Sequence, residues 1–117
     1  MACRRVLVVE DEMMMIAMMI EDMLADLGHV VVGPAMRLET ALPLARDAEF
    51  DMAVLDVNLG EVKSFPIAAV LRERGIPFLF ATGYGKKGIE AEYADAVVLD
   101  KPFEAHQLRR AIDWASR

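Results

Sequence analysis

"VLVVEDEMMM", Val6 to Met15, passes from four aliphatic residues straight into three acids and then three methionines. An apolar run without alternation reads as a strand buried on both faces, as in a parallel sheet covered by helices. The carboxylates at its end repel one another, and the residues that follow bring no cation. The compensating charge has to come from elsewhere in the chain, or from a ligand.

Working outward, four more apolar runs follow: "VVVG" (30–33), "MAVL" (52–55), "PFLFA" (77–81) and "AVVL" (96–99). The segments between them have helical spacing. Ile16, Met19, Ile20, Met23, Leu24 and Leu27 form one apolar stripe, which predicts a helix that stops at Gly28. A second helix is expected over 38–47 with Pro43 inside it. A third opens on Ser64 as N-cap, with Pro66 in its first turn, and ends at Gly75. A fourth, near 88–93, is short, and Ala105, Leu108, Ile112 and Ala115 mark the last. Strands alternating with helices at this spacing imply βαβ units with right-handed crossovers. The predicted class is α/β: one doubly wound domain over 1–117, with a five-stranded parallel sheet in the order 2-1-3-4-5 and five helices.

Composition narrows the function. The 117 residues carry a net charge of -6, and their basic residues cluster only in the pairs Arg4/Arg5, Lys86/Lys87 and Arg109/Arg110, which argues against a nucleic-acid binder. No apolar run approaches the roughly 18 residues of a membrane span, and the run after "MACRR" is too short for a signal-peptide core. The expectation is a cytoplasmic protein with no membrane partner. The lone Cys3 reads as a surface thiol. His29 and His106 read as surface histidines, and "RERG" (72–75) and "GKKG" (85–88) as solvated turns.

In open parallel sheets ligands bind beyond the carboxyl ends of the strands, where strand order reverses. Glu10, Asp11 and Glu12 follow the first run, Asp56 the third, Thr82 the fourth and Lys101 the fifth. In the order 2-1-3-4-5 the carboxylates share one crevice, closed on its far side by Thr82 and Lys101. Two carboxylates about 4 Å apart repel by roughly 4 kcal/mol at an effective dielectric near 20, so such a cluster holds protons or a cation. An all-oxygen site with few protein ligands suits Mg²⁺. Asp56, the lone acid on the central strand, is then the natural nucleophile for a phosphoryl group, with Thr82 and Lys101 addressing the phosphoryl oxygens and Gly83 leaving room.

Taken in order, "VLVVEDE", "VLDVNL", "FATG" and "DKPF" resemble a response-regulator receiver domain of two-component signalling (CheY-like, with a flavodoxin-like fold) over essentially the whole chain. "PFLFATGYG" is similar to the stand-alone, single-domain receivers that carry a "FATG" motif. The resemblance implies that Glu10, Asp11 and Asp56 hold Mg²⁺ with the backbone carbonyl of Asn58. It also implies that Lys101-Pro102 is cis and that the phosphodonor is a histidine kinase or a histidine phosphotransfer protein. The state expected is a monomer or weak dimer that signals by protein contact or onward phosphotransfer, with no output domain after "RRAIDWASR".

The chain departs from the family pattern at Val98, where most receivers carry an aromatic that moves with the Thr; a β-branched aliphatic cannot play that part. Tyr84 is the candidate to respond instead, against an ordinary solvent-facing tyrosine. The first helix reads one residue long, which leaves Glu12 as an alternative to Glu10 beside Asp11. Met14 and Met18 project to the polar side of that helix, where the resemblance places the docking of the histidine partner, and Trp114 lies on the outward side of the last helix, an output or dimer face. Two rivals remain. One is a Mg²⁺-dependent aspartyl-phosphate phosphohydrolase, disfavoured because Asn58 stands where a general acid is needed. The other is a receiver-like binding module that is never phosphorylated.

Overall fold

The computed structural model describes residues 3–11, 15–83 and 85–116, and the side chains of 15–17 are left aside. Glu12, Met14 and Tyr84 fall outside the described residues. Five strands, β1 (Arg5–Val9), β2 (Val30–Ala35), β3 (Met52–Asp56), β6 (Phe78–Thr82) and β7 (Val97–Asp100), form one sheet in the order β2-β1-β3-β6-β7. Every pairing in it is parallel. This is the predicted 2-1-3-4-5 order. Two further strands, β4 (Asn58–Leu59) and β5 (Val62–Lys63), pair antiparallel in a small hairpin that the sequence reading did not anticipate.

The period of two sorts the strand residues between two layers. Leu7, Val9, Ala53, Leu55 and Phe80 face α2 (Leu38–Asp47) and α3 (Phe65–Arg74), in a core that also takes in Ala41, Ala45, Ile67 and Leu71. Val6, Val8, Met52, Val54, Leu79 and Ala81 face α1 (Met15–Asp26) and α4 (Ala105–Ala115), packing on Ile20, Leu24, Leu108 and Ile112. The central strands therefore bury both faces, which is why their sequences are continuously apolar.

Helix ends follow local chemistry. Gly28 adopts φ 88, and His29 N–H donates back to Leu24 O while Gly28 N–H donates to Ala25 O, closing α1 in a left-handed turn. Gly75, at φ 70, closes α3. Ser64 does sit at the N-cap of α3, but its peptide groups do the capping: Ile67 and Ala68 N–H donate to its carbonyl, and its side chain makes no cap bond. α2 runs through Pro43 unbroken. The expected fourth helix is instead two 3-10 turns, η1 (Gly85–Gly88) and η2 (Ala91–Tyr93), so the sheet is covered by four α-helices rather than five.

Two readings of burial need correction, those of His29 and Met19. His29 is buried, at 5% exposure, because the turn after Gly28 folds its ring against the start of β1, where Nδ1 accepts Arg4 N–H at 3.1 Å. The residues of "RERG" are exposed, as expected, and its arginines also reach across the surface. Arg72 lies 4.5 Å from the Tyr93 ring centroid and donates to Glu92 O and Asp95, while Arg74 lies 5.1 Å from the Phe50 ring and donates to Ala45 O. Met19, assigned to the buried stripe of α1, is half exposed, while Ile20 and Leu24 are buried against the sheet. Cys3 and His106 are exposed, as expected. Among the described residues no helix is long and apolar enough to cross a membrane.

Candidate functional site

Strand ends place the chemistry. Asp56 is the last residue of β3 and Thr82 the last of β6; Glu10 follows β1, held by its N–H to Ala35 O at 3.0 Å; and Lys101 follows β7, held by its N–H to Thr82 O at 2.9 Å. Glu10, Asp56 and Thr82 are buried, at 1%, 6% and 1% exposure. The Lys101-Pro102 peptide is cis, as the resemblance implied; Gly33-Pro34 is a second cis bond that the sequence reading missed.

The acids, 46 positions apart along the chain at their extremes, do meet: Glu10, Asp11 and Asp56 each offer a carboxylate oxygen, and these oxygens lie within 4.8 Å of one another. The Lys101 ammonium stands between two of them, 2.8 Å from Glu10 Oε1, 3.0 Å from Glu10 Oε2 and 3.3 Å from Asp56 Oδ2. Asp11 Oδ2 accepts Gly60 N–H at 2.8 Å, and Asp56 Oδ1 faces Asn58 N–H at a long 3.4 Å. A crevice of about 900 Å³ opens over them, lined by Asp11, Asp56, Asn58, Thr82, Gly83 and Lys101, with Gly60, Lys63, Lys87 and Gly88 around it. A Cβ added at Gly83 would meet nothing within 4 Å, so the space in front of Thr82 is open.

The electrostatics record the crowding. Burial, hydrogen bonding to Asp11 and repulsion by Glu10 push Asp56 up to about 8, and the attraction of Lys101 offsets only part of this. For Lys101 burial is the largest influence and pulls downward, but the Glu10 hydrogen bond and the Asp56 and Glu10 charges together outweigh it and hold the ammonium above its usual range. One cation is thus too little for three acids. The donor set is all oxygen, partly buried, with ligand atoms near enough to share one small ion, which fits a hard divalent cation keeping several waters.

Glu10 lies in this group with Asp11, while Glu12, the alternative beside Asp11, lies outside the described residues. Asn58 lines the crevice, with its side-chain Oδ1 accepting from the Lys63 ammonium across the hairpin. Val98 is half-buried in β7 opposite Phe80, away from the crevice lining. Met18 is 55% and Trp114 62% exposed, both outside the crevice. Lys63 and Lys87 were missed as part of the site. Lys63 was legible in "NLGEVK", where Gly60-Glu61 between two short alternating pairs is a hairpin signal that folds Lys63 back over Asn58.

Known proteins are similar to this chain. A family model described as the response regulator receiver domain matches residues 6–113. The solution structure of SdrG from Sphingomonas melonis Fr1 is similar at TM-score 0.86 and 41% identity, covering 97% of each chain. The response regulator PhyR from Brucella abortus is similar at TM-score 0.84 and 29% identity, over 97% of this chain and 48% of PhyR. The transcriptional regulatory protein PdtaR of Mycobacterium tuberculosis is 30% identical over 116 residues, 96% of this chain and 56% of PdtaR, so the chain spans about half the length of that curated relative.

Proposed function

Because the chain belongs to the response regulator receiver-domain family, we propose that residues 1–117 act as one cytoplasmic receiver that accepts a phosphoryl group onto Asp56 from a phosphohistidine. The donor is a histidine kinase or a histidine phosphotransfer protein. The observation that carries this reading is the meeting of Glu10, Asp11 and Asp56 beside the Lys101 ammonium at one sheet rim. The "FATG" motif at 80–83 and the similarity to SdrG over nearly all of both chains support a stand-alone type, working as a monomer or weak dimer.

Glu10, Asp11 and Asp56, with the backbone carbonyl of Asn58, are the residues that would hold Mg²⁺, which when bound supplies positive charge against the phosphoryl oxygens and favours the ionised carboxylate of Asp56. An Asp56 carboxylate oxygen attacks phosphorus, an O–P bond forms as the P–N bond breaks, and the electron pair leaves on the imidazole nitrogen. Thr82, at the end of β6 on the crevice wall, donates its hydroxyl to a phosphoryl oxygen. Lys101 is already charged and poised between Glu10 and Asp56, so it meets the new negative charge with little rearrangement.

The partner would approach along α1. Met18 and Met19 are exposed there, beside a small apolar cleft of Met19, Ile20, Met23, Pro102 and Phe103 that adjoins Lys101. Met14, the other methionine assigned to this docking face, and Tyr84, assigned to the switch in place of Val98, keep those roles in this reading although they lie outside the described residues. Trp114 on α4 marks an output or dimer face distant from the crevice. Incubation with a phosphorylated histidine phosphotransfer protein should move the label to this chain one-for-one, with loss from the donor. Steady release of phosphate from small phosphate esters, without a labelled chain, would replace this reading by the hydrolase.

A further inference from the structure

Charge in the crevice is arranged in two tiers. The inner tier is the three carboxylates and Lys101: three negative charges against one positive leave two, which one divalent ion cancels. The centre is then close to neutral, while the phosphoryl group it has to receive is a dianion. The outer tier is Lys63, on the β4–β5 hairpin, and Lys87, on η1, both exposed and both lining the crevice. They come from separate walls, the hairpin that follows β3 and the turn that follows β6.

Neither lysine is committed to the acids. The Lys63 ammonium donates to Asn58 Oδ1, a neutral acceptor that leaves its charge intact, and among the described residues neither Lys63 nor Lys87 forms an ion pair. The chain as a whole carries -6 and repels anions, but at physiological salt charges beyond about 8 Å are largely screened. An arriving phosphate therefore responds to the charges at the mouth, where the Lys63 and Lys87 ammoniums stand outside any ion pair among the described residues.

We propose that Lys63 and Lys87 form an anion-recruiting rim that captures the phosphoryl dianion of the donor and delivers it to Asp56. The proposal rests on Asp56 being the acceptor. It makes the two lysines specificity determinants that favour doubly charged donors over less charged ones and act on encounter rather than on the transfer step.

The test is the second-order rate of phosphorylation by acetyl phosphate, a dianion, and by phosphoramidate, a monoanion, followed by intact mass from about 20 to about 500 mM salt. Glutamine keeps a donor for Asn58 and loses the charge, so the variant is the double substitution Lys63→Gln, Lys87→Gln. With acetyl phosphate at low salt it should react about 10-fold more slowly than the parent, the gap closing as salt rises. With phosphoramidate the gap should be smaller. Mg²⁺ affinity measured calorimetrically with the metal alone should be unchanged or tighter, and Lys63→Arg, Lys87→Arg should react like the parent. A variant that matches the parent at low salt, or that slows equally for both donors at every salt, overturns the rim. A parent chain that gains no phosphoryl group on Asp56 from either donor is a different result and overturns the acceptor reading itself.

Discussion

At the carboxyl-end rim of the sheet, Glu10 and Asp56 are buried within reach of Asp11, and the crowding drives Asp56 up to about 8. At the amino-end rim, His29 is buried too, but burial and the nearby Arg4 guanidinium push it down, against a smaller opposite pull from Asp113, so it sits neutral. There a neutral ring accepts a peptide N–H, and the exposed Arg5 peptide and guanidinium find Asp51 and Glu49 O. One rim buries a neutral ring; the other buries crowded carboxylates, whose repulsion a bound cation would relieve. The crowding of three carboxylates sets the carboxyl-end rim apart.

The contrast is broken most severely at Lys101. Lys101→Met leaves Glu10 buried without its ammonium and should cost about 3–5 kcal/mol of stability in urea titrations at pH 8. The same variant should slow phosphorylation at saturating Mg²⁺ by about 100-fold or more. A variant as stable and as reactive as the parent would show that the ion pair matters to neither.

The next effect is the pH dependence of the metal-free protein. The folded-state value of Asp56, about 8, lies above its ordinary value of 3.8, so the stability linked to this group is complete below about pH 4 and is lost as pH rises through 8. In chelator the urea midpoint should fall from pH 5 to pH 9. Mg²⁺ should flatten the decline and Asp56→Asn should remove most of it; an unchanged slope in Asp56→Asn would assign the titration to another group.

His29 gives the smallest effect, with the opposite sign. Its folded-state value lies below 6.5, so its contribution is present above pH 6.5 and is lost as pH falls through the folded value. Acid sensitivity below pH 6.5 should be weaker in His29→Gln, with phosphorylation unchanged at pH 8. Equal acid sensitivity in both proteins would place the titrating group elsewhere.

What the sequence discloses follows the range of the interactions involved. Apolar runs such as 52–55 declare a two-sided burial that is a property of the strand itself, so the strands could be read directly, and the order 2-1-3-4-5 was the one that gathers Glu10, Asp11, Asp56, Thr82 and Lys101, in keeping with the family resemblance. The cover was harder. Phe65, Phe78, Phe80 and Tyr93 stack against one another, with Phe65 and Tyr93 5.5 Å apart and nearly parallel, and no local period links residues on α3, β6 and η2. The same gap hid Arg72, whose partners Tyr93 and Asp95 lie about twenty positions further on. His29 looked exposed because the position after a helix-ending glycine commonly is; its burial depends on Arg4, distant in sequence. Lys63 was legible in the Gly60-Glu61 turn, though the hairpin it closes has only two residues to a strand.

The most direct test is the intact mass of the chain after acetyl phosphate, with Mg²⁺ and with chelator, for the parent and Asp56→Ala. The parent with Mg²⁺ should gain the mass of one phosphoryl group, and neither the chelated parent nor Asp56→Ala should gain any. A phosphoryl group that still appears on Asp56→Ala, or that forms as readily in chelator, would contradict an acceptor made by three carboxylates meeting at one end of the sheet.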